Sequence, residues 1–307
     1  MAAGSRYRAL LLLVLSFLLL LLSLSFLEAC LQRTAGLRSG GRALINLSSS
    51  GRRLRRVSSS GARIGDAGET SRALMPSDTR LVLLDRDGVI NVDRGTWVLS
   101  PAEFEMVEGA SAAIAQLTRR RRKVAVVTNQ SCVGRGLITE EQLQEIHGDM
   151  IRGVRLGGGT IHSVHFAPDT SDRATARRKP GPGMLVEAMK QHEVNGDEAA
   201  MIGDTTNDML AATRAGVKHK VLVCSGHHGQ KRADEARRLG IEFPFLVQKR
   251  EDGYLRSNKV GGSRGADRLD CSEVCAVLGV PEEVLPLWLV DDLPMAVNYL
   301  FGKPDRV

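Results

Sequence analysis

From Thr79 onward short apolar runs alternate with amphipathic stretches, and that alternation narrows the fold more than any other feature of the chain. Leu81–Leu84, Val124–Val127, His162–Phe166, Ala199–Ile202, Lys220–Val223 and Leu287–Val290 read as strands. Helical stretches lie between them at 109–117, 139–154, 183–191, 207–215 and 231–239. In 139–154 the side chains of Leu143, Ile146, Met150, Ile151 and Val154 share one face, with Thr139 as N-cap and Gln142 closing a capping box. Short strands alternating with helices predict an α/β fold with a doubly wound, mainly parallel sheet. Gly157–Gly159 reads as a turn before a strand, and 249–270 as a polar surface insertion.

Ligands of such sheets bind at the carboxyl ends of the strands. Four polar clusters stand there. The first run stops at Asp85-Arg86-Asp87-Gly88, the second ends in Thr128-Asn129-Gln130-Ser131, and the fourth runs into Gly203-Asp204 with Asp208 one helical turn on. Lys179-Pro180 follows the loop after the third strand. Converging acids repel one another without a cation, and hard carboxylate oxygens suit Mg²⁺. Lys179 and the Thr128 hydroxyl offer positive charge and a hydrogen bond to a phosphoryl group. Asp85 is placed to act as nucleophile, Asp87 as acid and base, and Asp208 to orient Asp204 or the metal shell. A lone Asp-x-Asp is more often a turn than a site; four clusters in this order point to catalysis.

Residues 80–223 resemble the haloacid dehalogenase superfamily of phosphohydrolases, whose four motifs they carry. Leu84-Asp-Arg-Asp-Gly-Val-Ile-Asn91, Thr128-Asn-Gln-Ser131, Gly134-Arg-Gly136, Arg178-Lys-Pro-Gly-Pro-Gly-Met184 and Ile202-Gly-Asp204…Asp208-Met209 are similar to the branch of D-glycero-D-manno-heptose 1,7-bisphosphate 7-phosphatases and histidinol-phosphatases. The resemblance covers about 79–248 and 286–300. It implies a Rossmann-like fold with minimal cap loops and an aspartyl-phosphate at Asp85. Asp87 then protonates the leaving alcohol and activates water. Mg²⁺ is held by Asp85, the Asp87 carbonyl and Asp204, with Asp208 in its outer shell. Thr128 and Lys179 hold the phosphoryl oxygens. Asp93, Arg94, Gly95, Thr96, Asn129, Gln130, Ser131 and Arg178 line the substrate pocket. The implied substrate is a small phosphorylated metabolite of carbohydrate metabolism, heptose 1,7-bisphosphate first and histidinol phosphate second. A monomer is expected.

Two departures from the branch bear on this expectation. Many members hold a structural zinc with Cys-x-His and Cys-x-Cys before the Arg-Lys-Pro segment. The corresponding positions here are Ala167, Asp169, Thr175 and Arg177, so zinc is expected to be absent and the loop to be ordered otherwise or to be looser. Cys132 stands where Gly is usual after Asn-Gln-Ser.

The net charge of +7 invites a nucleic-acid partner, but it is unevenly spread. Residues 1–76 carry eleven Arg and three acids, a net of +8, which leaves 31 basic and 32 acidic residues, a net of −1, for 77–307. A near-neutral body with 4% aromatics argues against nucleic acid, including a polynucleotide 3′-phosphatase reading. Within 1–30, Ala9–Leu27 are uncharged and include twelve leucines, which fits a signal or a membrane anchor. Residues 31–76, rich in Arg and Ser, are expected to be a disordered transit segment or stalk. The leader is thus expected to direct the chain into the secretory pathway, as a two-part plastid leader or a type II endomembrane anchor, with any membrane contact expected through it. The phosphatase domain is expected over 77–303. A non-enzymatic anchored scaffold on the same fold is the competing class, and it is disfavoured because Asp85, Asp87, Lys179 and Asp204 are all present.

Overall fold

The computed structural model of the protein describes residues 78–251, 253, 255 and 269–302. The expected leader, 1–30 and 31–76, and most of the 249–270 insertion lie outside the described residues. The described part contains strands β1 (Leu81–Leu84), β2 (Lys123–Asn129), β3 (Ser163–Ala167), β4 (Ala199–Gly203), β5 (His219–Val223), β6 (Phe245–Val247) and β7 (Leu287–Val290). Its α-helices are α1 (Ala110–Arg119), α2 (Ser131–Gly134), α3 (Glu140–Leu156), α4 (Gly183–His192), α5 (Thr206–Arg214), α6 (Gly229–Arg238), α7 (Cys271–Leu278) and α8 (Leu293–Leu300). Among them no helix is long and apolar enough to cross a membrane.

The strands form one sheet in the order β3-β2-β1-β4-β5-β7-β6, parallel except for the β6–β7 pair. β1 is buried along its whole length, which explains its unbroken apolar run: a central parallel strand has no wet face. Alternate residues serve opposite layers. Leu81 and Leu83 pack with Met184, Leu185 and Met209 of α4 and α5. Val82 and Leu84 pack with Ile114, Met150, Val154 and Val297 of α1, α3 and α8. Full burial of such side chains stabilises by roughly 1.5–3 kcal/mol each. The sheet is therefore doubly wound, as its sequence pattern predicts.

After β1 the chain builds β2 and β3 to one side and then returns to place β4 on the other. The order reverses between β1 and β4, so the ends of these two neighbours frame a crevice. At α3 the expected cap is present: Gln142 N–H donates to Thr139 Oγ1 at 3.2 Å and Thr139 N–H to Gln142 Oε1 at 2.9 Å.

Three features depart from the expected pattern. β6 is an extra, three-residue antiparallel edge, too short to register as a periodic run. α7 fills part of the stretch between the insertion and the last strand. Within 249–270, Leu255 is fully buried in the core and donates its N–H to the Leu269 carbonyl, so the insertion is not polar surface throughout.

Candidate active site

The crevice receives its acids because strands end there. Asp85 continues β1 by donating its N–H to the Ile202 carbonyl of β4, so nucleophile candidate and metal-ligand candidate share one hydrogen-bonded frame. Carboxylate oxygens of Asp85, Asp204 and Asp208 lie within 4.8 Å of one another, and all three residues are buried. Lys179 Nζ lies 2.9 Å from Asp85 Oδ2 and 2.5 Å from Asp208 Oδ1, and donates to the Val127 carbonyl at 2.9 Å. All three ammonium protons are thereby used. Lys179 is held at its backbone too: its N–H donates to Asn129 Oδ1, and Asn129 Nδ2 donates to its carbonyl, both at 3.0 Å.

The charges in this cluster do not balance. Burial and the neighbouring Asp208 push the Asp85 carboxyl up to about 7 against the pull of Lys179. Burial, then Asp208 and Asp85, raises Asp204 well above the carboxylate range. Burial alone would lower the Lys179 ammonium, but Asp208 and Asp85 outweigh it and hold it above its ordinary value. Three carboxylates against one ammonium leave two negative charges over. That surplus, presented on hard oxygen donors, fits a divalent cation such as Mg²⁺. Among the described residues no hydrogen bond takes up the Asp204 carboxylate, while Asp85 accepts once on each oxygen, from the Arg86 N–H at 2.7 Å and from Lys179. Asp208 is already taken, by Lys179 on one oxygen and by Thr205 N–H (3.0 Å) and Thr205 Oγ1 (2.6 Å) on the other, which fits its expected outer role.

Asp87 stands apart from the three-carboxylate cluster. Its Oδ1 accepts from Arg86 Nη2 and Asn91 Nδ2, each at 2.9 Å, and its Oδ2 from Arg86 Nη2 at 3.0 Å and Gln130 Nε2 at 2.9 Å. Burial opposes ionisation, yet Arg86, Asn91 and Gln130 outweigh it and hold the carboxyl below its ordinary value. A metal contact from Asp87 through its carboxylate is thereby disfavoured, which leaves the carbonyl that the resemblance implies. Gln130 also donates to Thr128 Oγ1 at 2.8 Å, linking the ends of β1 and β2.

A cavity of about 560 Å³ opens beside Arg86, Asp87 and Asp204, while Asp85, Thr128, Lys179 and Asp208 are not part of its lining. Asp93, Gly95, Thr96, Asn129 and Gln130 line it, as expected. Arg94 and Arg178 do not. Arg94 pairs with Glu105 on the surface, and Arg178 donates to the Asp169 carbonyl at 2.8 Å. Ser131 is buried in α2 outside the lining. Three of the four positions named above, Asp169, Thr175 and Arg177, are hydrogen-bonded within the chain, so the loop is ordered: Asp169 Oδ2 accepts from the Thr175 N–H at 3.0 Å and from its hydroxyl, and Arg177 donates to the Phe166 carbonyl at 3.1 Å.

Sequence reasoning missed Arg86 as the clamp on Asp87, and His147, whose Nε2 lies 3.4 Å from Arg86 Nη1 across 61 residues of chain. It also missed Trp97, His227 and His228, which line the cavity. The last two follow the end of β5, where the strand-end rule applied to the other strands would have found them.

The HAD-hydrolase-like family matches the chain over residues 176–242. The D-glycero-beta-D-manno-heptose-1,7-bisphosphate 7-phosphatase of Neisseria meningitidis serogroup A is 41% identical over 169 residues, which are 55% of this chain and 88% of that one. Its namesake from Bordetella bronchiseptica is 37% identical over 137 residues, 45% of this chain and 76% of that one. Among solved structures, the D,D-heptose 1,7-bisphosphate phosphatase from B. bronchiseptica, complexed with magnesium and phosphate, superposes with a TM-score of 0.54 at 27% identity. That match covers 72% of this chain and 98% of the other.

Proposed function

The chain belongs to the haloacid dehalogenase-like phosphatases, in the family of the heptose-1,7-bisphosphate 7-phosphatases, and on that premise we propose that it removes the 7-phosphate of a heptose 1,7-bisphosphate by way of Asp85. The observation that carries the proposal is the Asp85–Lys179–Asp208 ion cluster beside Asp204 at the reversal of strand order. The naming of relatives 41% identical over 88% of their length supports the sugar.

Asp85, Asp204 and the Asp87 carbonyl would hold Mg²⁺, which when bound draws charge from the phosphoryl oxygens. The chain's own groups do the rest. Lys179 fixes the Asp85 carboxylate and presents positive charge to the incoming phosphoryl group. An Asp85 oxygen attacks phosphorus, forming the acyl-phosphate bond as the bond from phosphorus to the sugar oxygen breaks. Asp87 gives the departing oxygen a proton. In the second half it takes one from water, which attacks the same phosphorus, and the Asp85 carboxylate leaves. Arg86, Asn91 and Gln130 stabilise the anion that Asp87 becomes once its proton has gone to the leaving oxygen, and that anion is the base of the second half. The Thr128 hydroxyl offers a hydrogen bond to a phosphoryl oxygen.

We propose as well that residues 1–76 serve as an address into the secretory pathway. The support is a run of nineteen uncharged residues followed by an Arg- and Ser-rich stretch.

A panel of phosphorylated metabolites assayed with the full chain and Mg²⁺ tests the substrate. The expected outcome is a kcat/KM for heptose 1,7-bisphosphate at least tenfold above that for every other member. A larger value for histidinol phosphate replaces the sugar with that substrate, and equal low values across the panel mean a generalist.

A further inference from the structure

A bisphosphate brings a second phosphate that does not react, and a site that prefers such a substrate needs donors for it. The cations around the cavity are already engaged. Lys179 is saturated by Asp85, Asp208 and Val127, and Arg86 is spent on Asp87. Arg232 lines the cavity and ties Nη1 and Nε to the carbonyls of Asp204 (3.0 Å) and Leu278 (3.1 Å). Arg94 and Arg178, the two arginines expected to meet the substrate, face other partners.

The imidazoles of His227 and His228 line the same cavity, on the loop between β5 and α6. Their rings pack against each other with centroids 4.8 Å apart and planes at 70°. Among the described residues no hydrogen bond takes up a ring nitrogen of either. The loop is fastened at both sides of the crevice. Ser225 Oγ donates to the Gly88 carbonyl at 2.6 Å, directly behind Asp87. Across the cavity Asp93 turns its carboxylate to main-chain N–H groups, accepting from Gly95 at 2.8 Å and His227 at 3.4 Å. Gly95 lies so close to the His227 ring that a Cβ there would come within 2.8 Å of Cε1. The pair is thus held at the cavity wall, with the His227 ring lying against Gly95.

We propose that His227 and His228 form the subsite for the non-reacting phosphate of a sugar bisphosphate. The inference rests on the bisphosphate reading above and adds the residues that discriminate it from a monophosphate. An imidazole offers one N–H donor when neutral and two when protonated, and charge-assisted bonds to phosphate are the stronger kind. Two rings at an angle address different oxygens of one phosphate. Both residues are exposed, so their replacement removes no core contact.

The test is the ratio of kcat/KM for heptose 1,7-bisphosphate to that for heptose 7-phosphate, measured with the full chain. The wild type is expected to favour the bisphosphate. The His227→Asn/His228→Asn double variant is expected to lower the ratio at least tenfold through the KM for the bisphosphate, and His228→Lys to retain part of it. A wild-type preference that survives the double replacement overturns the subsite and leaves the substrate standing. A wild type that hydrolyses both sugars equally overturns the subsite alone. A wild type inactive on both but active on another metabolite overturns the substrate reading and the subsite with it.

Discussion

Arg86 and His147 show how much of this site depends on single buried contacts. Arg86 is 1% exposed, and its charge is matched by Asp87 at its open end while His147 closes the other. For Nε2 to accept from Arg86, the proton must sit on Nδ1, which is buried without a partner. Burial first, and then the Arg86 charge, pushes the His147 imidazole down to about 4 from its ordinary 6.5. The folded state thus binds this proton less readily than the unfolded chain. Its contribution is present above pH 6.5 and is lost as the pH falls from 6.5 to 4. By pH 4.5 the loss is about 2–3 kcal/mol. His147→Gln, which cannot titrate, is expected to flatten the pH dependence of urea unfolding between pH 7 and pH 4.5 by that amount. Equal slopes in both proteins would refute the assignment. None of this is legible in the sequence. Asp85, Asp87 and Lys179 can be read there because each sits in a local motif at a strand end. The Arg86–His147 contact joins residues 61 apart, and nothing near either one signals it.

At the scale of elements, the six strands and the main helices were readable because each carries its own periodicity. β6 was not, since three residues cannot show a period and its pairing with β7 is the only thing that makes it a strand. Arg178 illustrates the same boundary in the site. Its motif placed it near the substrate, but the loop from 167 to 177 closes on itself through Asp169 and Thr175 and draws the guanidinium to a carbonyl. The loop between β5 and α6 matters to the acids as well as to the cavity wall. A Cβ on Gly226 would overlap the carboxylate of Asp204, and Gly88 approaches both. Gly226 does not occupy the left-handed region, so alanine is strained there by space and not by its own backbone. Gly226→Ala is expected to cost about 1–3 kcal/mol of stability and to cut phosphate release at least tenfold by displacing Asp204. Calorimetry and steady-state kinetics on the full chain check the two effects. Unchanged activity would show that the loop can yield without moving the acid.

For the molecule as a whole, the charge is unevenly divided along the chain. Eleven arginines and three acids in 1–76 leave that segment basic, while 77–307 balance 31 basic residues against 32 acidic ones. The chemistry lies in the near-neutral part, where the sheet reverses its order and brings Asp85, Asp204 and Asp208 together with one lysine. The central claim is that Asp85 becomes phosphorylated with a divalent cation alongside it. Its most direct measurement is phosphate release from the best substrate of the panel by the full chain and its Asp85→Asn variant, with Mg²⁺ and with EDTA. The account predicts a fall of about 10³-fold or more in kcat for the variant and loss of wild-type activity in EDTA that Mg²⁺ restores. An Asp85→Asn protein that releases phosphate at the wild-type rate would contradict it.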